Sequence, residues 1–109
     1  MDRIPLFMEC EPKNMEKDQK CFQKQMQKHI KKYFRYPEDA KANYIEGVVY
    51  IMMTIEADGT LSNIRTKGAH PLLEKEAVRI MRLLPKFRPA IHEGEAVSVP
   101  YSIPLTFRL

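Results

Sequence analysis

A chain of 109 residues, 44% hydrophobic and 29% charged, has the make-up of one globular domain, and its net charge of +4 makes it mildly basic. That composition excludes gross disorder. No apolar run of about 18 residues is present to cross a membrane as a helix. The opening MDRIPLFMECEPK has no basic leader ahead of a long apolar stretch, so no signal peptide is read there.

Residues 1–18 read as a loop segment, with Pro5, Pro12 and mixed charges. Residues 19–35 read as a helix. Phe22, Met26, Ile30, Tyr33 and Phe34 recur at helical spacing and form its apolar stripe, with Asp18 as the expected N-cap. Much of the positive charge lies on and before this helix, at Lys13, Lys17, Lys20, Lys24, Lys28, Lys31, Lys32 and Arg35. Aromatic interleaving and a nucleic-acid-binding motif are both missing, so the expectation is a solvated helix face and no nucleic-acid partner. Tyr36-Pro37 stops the helix, because a residue before proline is driven out of the helical region. PEDAKANYIE adds one short helical turn.

Gly47 opens a strand in which Val49, Ile51, Met53 and Ile55 share one face and Val48, Tyr50, Met52 and Thr54 the other. Both faces are largely apolar, which predicts a central strand with partial cover on its second face. Asp58-Gly59 is a hairpin signal. The return strand runs from about Leu61 to Lys67, and its inward Leu61 and Ile64 break strict alternation, as a bulge would. A second helix begins at His70-Pro71, buries Leu73, Ala77, Ile80, Met81 and Leu84, and ends at Pro85. KFRPAIHEG reads as a loop.

The chain closes on the clearest period-two pattern it has. Val97, Val99, Tyr101, Ile103, Leu105, Phe107 and Leu109 fall on alternate positions, with Pro100 and Pro104 on the opposite parity. Both prolines withhold donors from the same lateral side, which an edge strand tolerates and a central strand does not. The element order is helix, strand, strand, helix, strand. The expected fold class is α+β: a three-stranded antiparallel sheet, the last strand beside the long central one, with two helices on one face.

Chemistry is thinly represented. His29, His70 and His92 fall in three different elements. His29 is expected at the surface and His70 is expected to shape the start of the second helix. Glu74 and Glu76 do not face each other on a helix, and the scattered glycines form no phosphate-binding loop, so no catalytic residue and no cofactor is assigned. Cys10 and Cys21 leave three readings: a disulfide, two free thiols, or a metal site completed by His29. The disulfide is preferred and no metal is assigned. It would staple the N-terminal loop to the first helix, add roughly 2.5–3 kcal/mol in the chain-entropy model, and require an oxidising compartment. The 7 methionines sit mostly on helix stripes and strands, where core filling accounts for them.

In order along residues 36–109, Tyr36-Pro37, Ala40, Gly47-Val48-Val49, Asp58-Gly59, Leu73 with Glu76-Ala77, Pro85, Phe87 with Pro89, Gly94 and the final strand with Ile103-Pro104 and Phe107 to Leu109 resemble the TonB C-terminal domain family. Where the family often carries tryptophan, this chain has Phe87. Residues 7–35 look like the N-terminal extension of Bacteroidetes-type members. The resemblance implies a domain at 19–109, non-enzymatic and periplasmic, within a longer inner-membrane-anchored protein. Its implied partner is a TonB-dependent outer-membrane transporter. A short segment of that transporter would add as a strand beside the last strand and receive inner-membrane energy. The residues so implicated are Tyr36, Pro37, Val97, Ser98, Val99, Pro100, Tyr101, Ser102, Ile103, Pro104, Thr106 and Phe107, with the backbone of Ser98, Ser102 and Thr106 carrying the pairing. A homodimer through the last strand would use the same edge. An alternative role with the same fold is a sensory or assembly domain of another bacterial envelope protein.

Overall fold

The computed structural model describes residues 1–109. Helix α1 spans Met15–Tyr33 and α2 spans Glu38–Ala42; strands β1 (Gly47–Ile55) and β2 (Leu61–Gly68) follow. Helix α3 is Pro71–Arg82, and strands β3 (Ala90–His92), β4 (Glu95–Val97) and β5 (Val99–Phe107) complete the chain. One antiparallel sheet has the order β2-β1-β5, and β3 and β4 make a separate hairpin.

The central strand forms as its pattern requires. Val49, Ile51, Met53 and Ile55 are all buried against the helices. The opposite face is only partly covered, as expected: Val48, Met52 and Thr54 are half-buried, and Tyr50 remains 56% exposed. The sheet is therefore one-sided, with its core between one face and the helices. The bulge is real. The β1–β2 register shifts between Met52 and Thr54, and Asn63 takes φ 52°, which lets both Leu61 and Ile64 pack against the core.

Helix α1 starts one turn earlier than its sequence suggests. Its cap is Asn14, whose side chain accepts from Lys17 N at 2.9 Å. Asp18, expected as the cap, lies inside the first turn and is buried, accepting from Lys13 N at 2.9 Å. Phe22, Met26 and Ile30 are buried as the stripe predicts, while Tyr33 and Phe34 are only half-buried. His29 is also buried, contrary to its expected surface position, and its Nε2 lies 2.9 Å from Ile80 O of α3. The periodic stripe is narrower than the buried face, and a polar residue at its border gives no hydropathy signal of burial.

In α3, His70 caps the helix by accepting from Leu72 N through Nδ1 at 3.1 Å, with Pro71 in the first turn. Leu73, Ala77, Ile80 and Met81 are buried, and Leu84, beyond the helix, is half-buried. Glu76 is buried as well. It accepts from Arg35 N at 2.8 Å and from Arg79 Nε at 2.6 Å, while Arg79 Nη2 donates to Tyr33 O at 2.5 Å. This cluster fastens the C-terminal end of α1 to α3, and its Glu76 carboxylate holds the Arg79 guanidinium above its ordinary pKa.

The stretch KFRPAIHEG is not simply a loop. Its AIH pairs with EAV across Glu93-Gly94, both at positive φ (51° and 80°), as a two-residue hairpin turn requires. Nor do the first residues hang free. Leu6, Phe7 and Cys10 are buried, Arg3 bridges to Ile91 and Leu6 to Arg88, and Cys10 is disulfide-bonded to Cys21.

Candidate functional site

Strand β5 is held on one side only. Nine consecutive pairs, from Ile55 with Val99 to Gly47 with Phe107, join it to β1, and no strand lies on its other side. In an antiparallel ladder, hydrogen-bonded and non-hydrogen-bonded pairs alternate. Pro100 and Pro104 stand opposite Thr54 and Tyr50, and a proline cannot donate. The hydrogen-bonded pairs are thus the odd-numbered residues of β5, and the backbone groups of the even-numbered ones face outward. On that outward side Ser102 and Thr106 offer donors and acceptors, and Pro100 and Pro104 offer acceptors alone.

The side chains of β5 alternate as their order dictates. Val99, Tyr101 and Ile103 are half-buried toward the helices, and Leu105 and Phe107 are buried. Pro100, Ser102, Pro104 and Thr106 are exposed. Two aromatic groups anchor the strand. Tyr101 meets Phe22 edge-on at 5.2 Å, and Phe22 and Phe87 both pack on Phe7, at 5.3 and 4.8 Å. At the other end Phe107 packs on Phe34 at 5.4 Å and on Tyr36 at 5.9 Å. Burial pushes the Tyr101 phenol up to about 12.

Two depressions border the outward edge. One, of about 620 Å³, is lined by Val99–Ile103, by Gln19, Phe22, Gln23 and Gln27 of α1, and by Met1, Ile4 and Pro5. The other, of about 570 Å³, is lined by Pro104–Thr106 and by Gln27, Ile30, Lys31 and Phe34. Gln27 belongs to both, so they form one trough along the strand, walled by β5 and α1.

The residues implicated from sequence are not all brought together. Val99 to Thr106 lie on the edge and along the trough. Val97 belongs to β4, where it pairs with Ala90. Ser98 sits at the corner between β4 and β5, its hydroxyl donating to Glu56 Oε1 at 2.7 Å. The hydroxyls of Ser62 and Ser98 hold the Glu56 carboxyl below its usual range. Phe107 is buried at the far end, with Tyr36 beside it. The Tyr36 hydroxyl donates to Ile45 O, and burial followed by Glu46 raises its pKa. Pro37 opens on a different, polar cleft lined by Arg35 and Tyr36, by α2 and by α3. The α1 wall was not foreseen. Gln19, Gln23 and Gln27 recur every fourth residue, a spacing that marks one helix flank but, in polar residues, looks like any solvated face.

Fold and edge together define a small α+β domain with one donor-depleted free strand. The chain belongs to the family of Gram-negative bacterial TonB protein C-terminal domains, whose model matches residues 32–109. That family is known in energy transduction to outer-membrane transporters, and its domains are periplasmic and non-enzymatic. Two NMR solution structures of the Helicobacter pylori TonB-CTD are similar to this chain. One is 29% identical with a TM-score of 0.65, over 81% of this chain and 80% of that one. The other is 28% identical with a TM-score of 0.57, over 78% and 90%. No curated protein matches the sequence.

Proposed function

We propose that this domain grips a short extended segment of an outer-membrane transporter as a fourth strand beside β5, and that the contact transmits inner-membrane energy for substrate uptake. One observation carries the reading: β5 presents a free edge, fixed by nine register pairs on its other side and bordered by a trough. Strand addition takes its affinity from main-chain hydrogen bonds and its selectivity from alternate side chains. Here Ser98, Ser102 and Thr106 supply the donors, and the inward side chains of the segment enter the trough. Family membership supports the choice of partner.

The test is a titration of the isotope-labelled chain with eight-residue peptides tiled across the N-terminal regions of outer-membrane transporters encoded in the same genome. Amide shifts centred on Ser102 and Thr106 are expected for at least one peptide. Absence of any shift between residues 98 and 107 would overturn the reading. Concentration-dependent shifts on the same amides without peptide would assign the edge to a homodimer instead.

A further inference from the structure

We infer that α1 is the second jaw of the trough, its row of Gln19, Gln23, Gln27 and Lys31 supplying to a bound segment the donors that Pro100 and Pro104 withhold. The inference rests on the strand-addition reading and adds to it the residues that complete the site.

The sequence of β5 leaves a deficit on its outward side. An ordinary edge strand offers one donor and one acceptor at every second residue. Along Val99–Thr106 the four outward residues offer four carbonyls but only two N–H groups, at Ser102 and Thr106. An added strand would bring carbonyls opposite Pro100 and Pro104 that the edge cannot satisfy. In a partly desolvated trough an unmade hydrogen bond is costly, so such carbonyls need another donor.

The opposite wall carries donors at the needed places. Gln19, Gln23 and Gln27 line the depression that contains Pro100, and Gln27 and Lys31 line the one that contains Pro104. A glutamine amide brings two N–H donors and a lysine ammonium three. All four side chains are exposed. The only one of the α1 glutamines outside the row, Gln25, borders a separate depression with Lys28, His29 and Tyr33.

The repeat lengths also agree. Four residues of α-helix rise about 6.0 Å, and two residues of strand advance about 6.7 Å. Helix and strand run in the same direction, since the α1 residues from Gln19 to Gln27 border Val99–Ile103 and those from Gln27 to Phe34 border Pro104–Thr106. Across the row the drift is only about 2 Å, within the reach of a flexible glutamine side chain. The recognised chemistry is therefore main-chain carbonyl, together with polar side chains that point toward α1.

The test compares the native chain with a variant carrying Gln23→Met and Gln27→Met. These substitutions keep side-chain length and helix propensity but remove the donors. With a tiled peptide that shifts Ser102 and Thr106 in the native chain, the variant should bind about tenfold more weakly. The side-chain NH2 signals of Gln23 and Gln27 should move on titration while those of Gln25 stay still. A Lys17→Ala, Lys20→Ala variant, altered outside the trough, should bind as the native chain does. Unchanged affinity in the Met variant, with the β5 shifts intact, would overturn the α1 jaw and leave strand addition standing. Failure of every peptide to shift β5 in the native chain would overturn both.

Discussion

At the scale of single residues, two positions carry more constraint than their side chains suggest. Gly59 closes the β1–β2 turn at φ 87°, and a Cβ there would lie 2.0 Å from the Phe87 carbonyl oxygen. The same glycine accepts from Phe87 N at 2.9 Å, so turn and core aromatic are fixed together. Gly59→Ala meets both a disfavoured backbone conformation and a backbone obstacle, and should cost roughly 3 kcal/mol in denaturant unfolding. Tyr101 is constrained electrostatically. Burial raises its phenol to about 12 from an ordinary 10.0, so the folded state holds the proton more tightly than the unfolded chain. Its contribution to stability is fully present below pH 10 and is lost as pH climbs toward 12. Tyrosinate absorbance should show a late-ionising step that disappears in Tyr101→Phe.

At the scale of elements, the N-terminal segment is part of the core. Leu6, Phe7 and Cys10 are buried, and the Cys10–Cys21 disulfide ties the segment to α1. Replacing both cysteines by serine should lower unfolding free energy by about 2–3 kcal/mol, through the greater freedom of the unfolded chain. Because Met1, Ile4 and Pro5 form one end of the trough, the same change should loosen that end, read as faster amide exchange at Leu6 and Arg3. The elements were legible wherever periodicity and punctuation coincided: β1 from its apolar alternation, β5 from its alternation and prolines, α3 from His70-Pro71 and its stripe. The start of α1 was misplaced at Asp18 because Asn14, four residues earlier, is as good a cap, and only the packing of the segment before the helix selects it. The β3–β4 hairpin was hidden because three-residue strands are too short to show a period. Its only local signal is Glu93-Gly94, weaker than an Asn-Gly or Asp-Gly turn. The β5 side of the trough could be read from sequence because prolines report backbone direction. The α1 side could not, because exposed glutamines look alike whether they face solvent or a groove.

At the scale of the whole molecule, the one-sided sheet and its free edge set how a bound segment would be held. Its side chains would be sheltered only toward α1, with the other face in water like that of Tyr50. Affinity would then rest more on main-chain bonds than on buried area. The nine-pair register of β1 and β5 has a further, mechanical consequence. Ladder hydrogen bonds run perpendicular to the strands. A pull along a segment docked on β5 would therefore load its bonds side by side, in shear, and β5 would pass the tension to β1 through its hydrogen-bonded pairs, from Val99 to Phe107, at once. A pull directed away from the sheet would instead break the bonds one after another, like a zip. Such a contact would thus be stiff to traction along the strand and yielding to traction across it, so the direction of force would become a means of letting go.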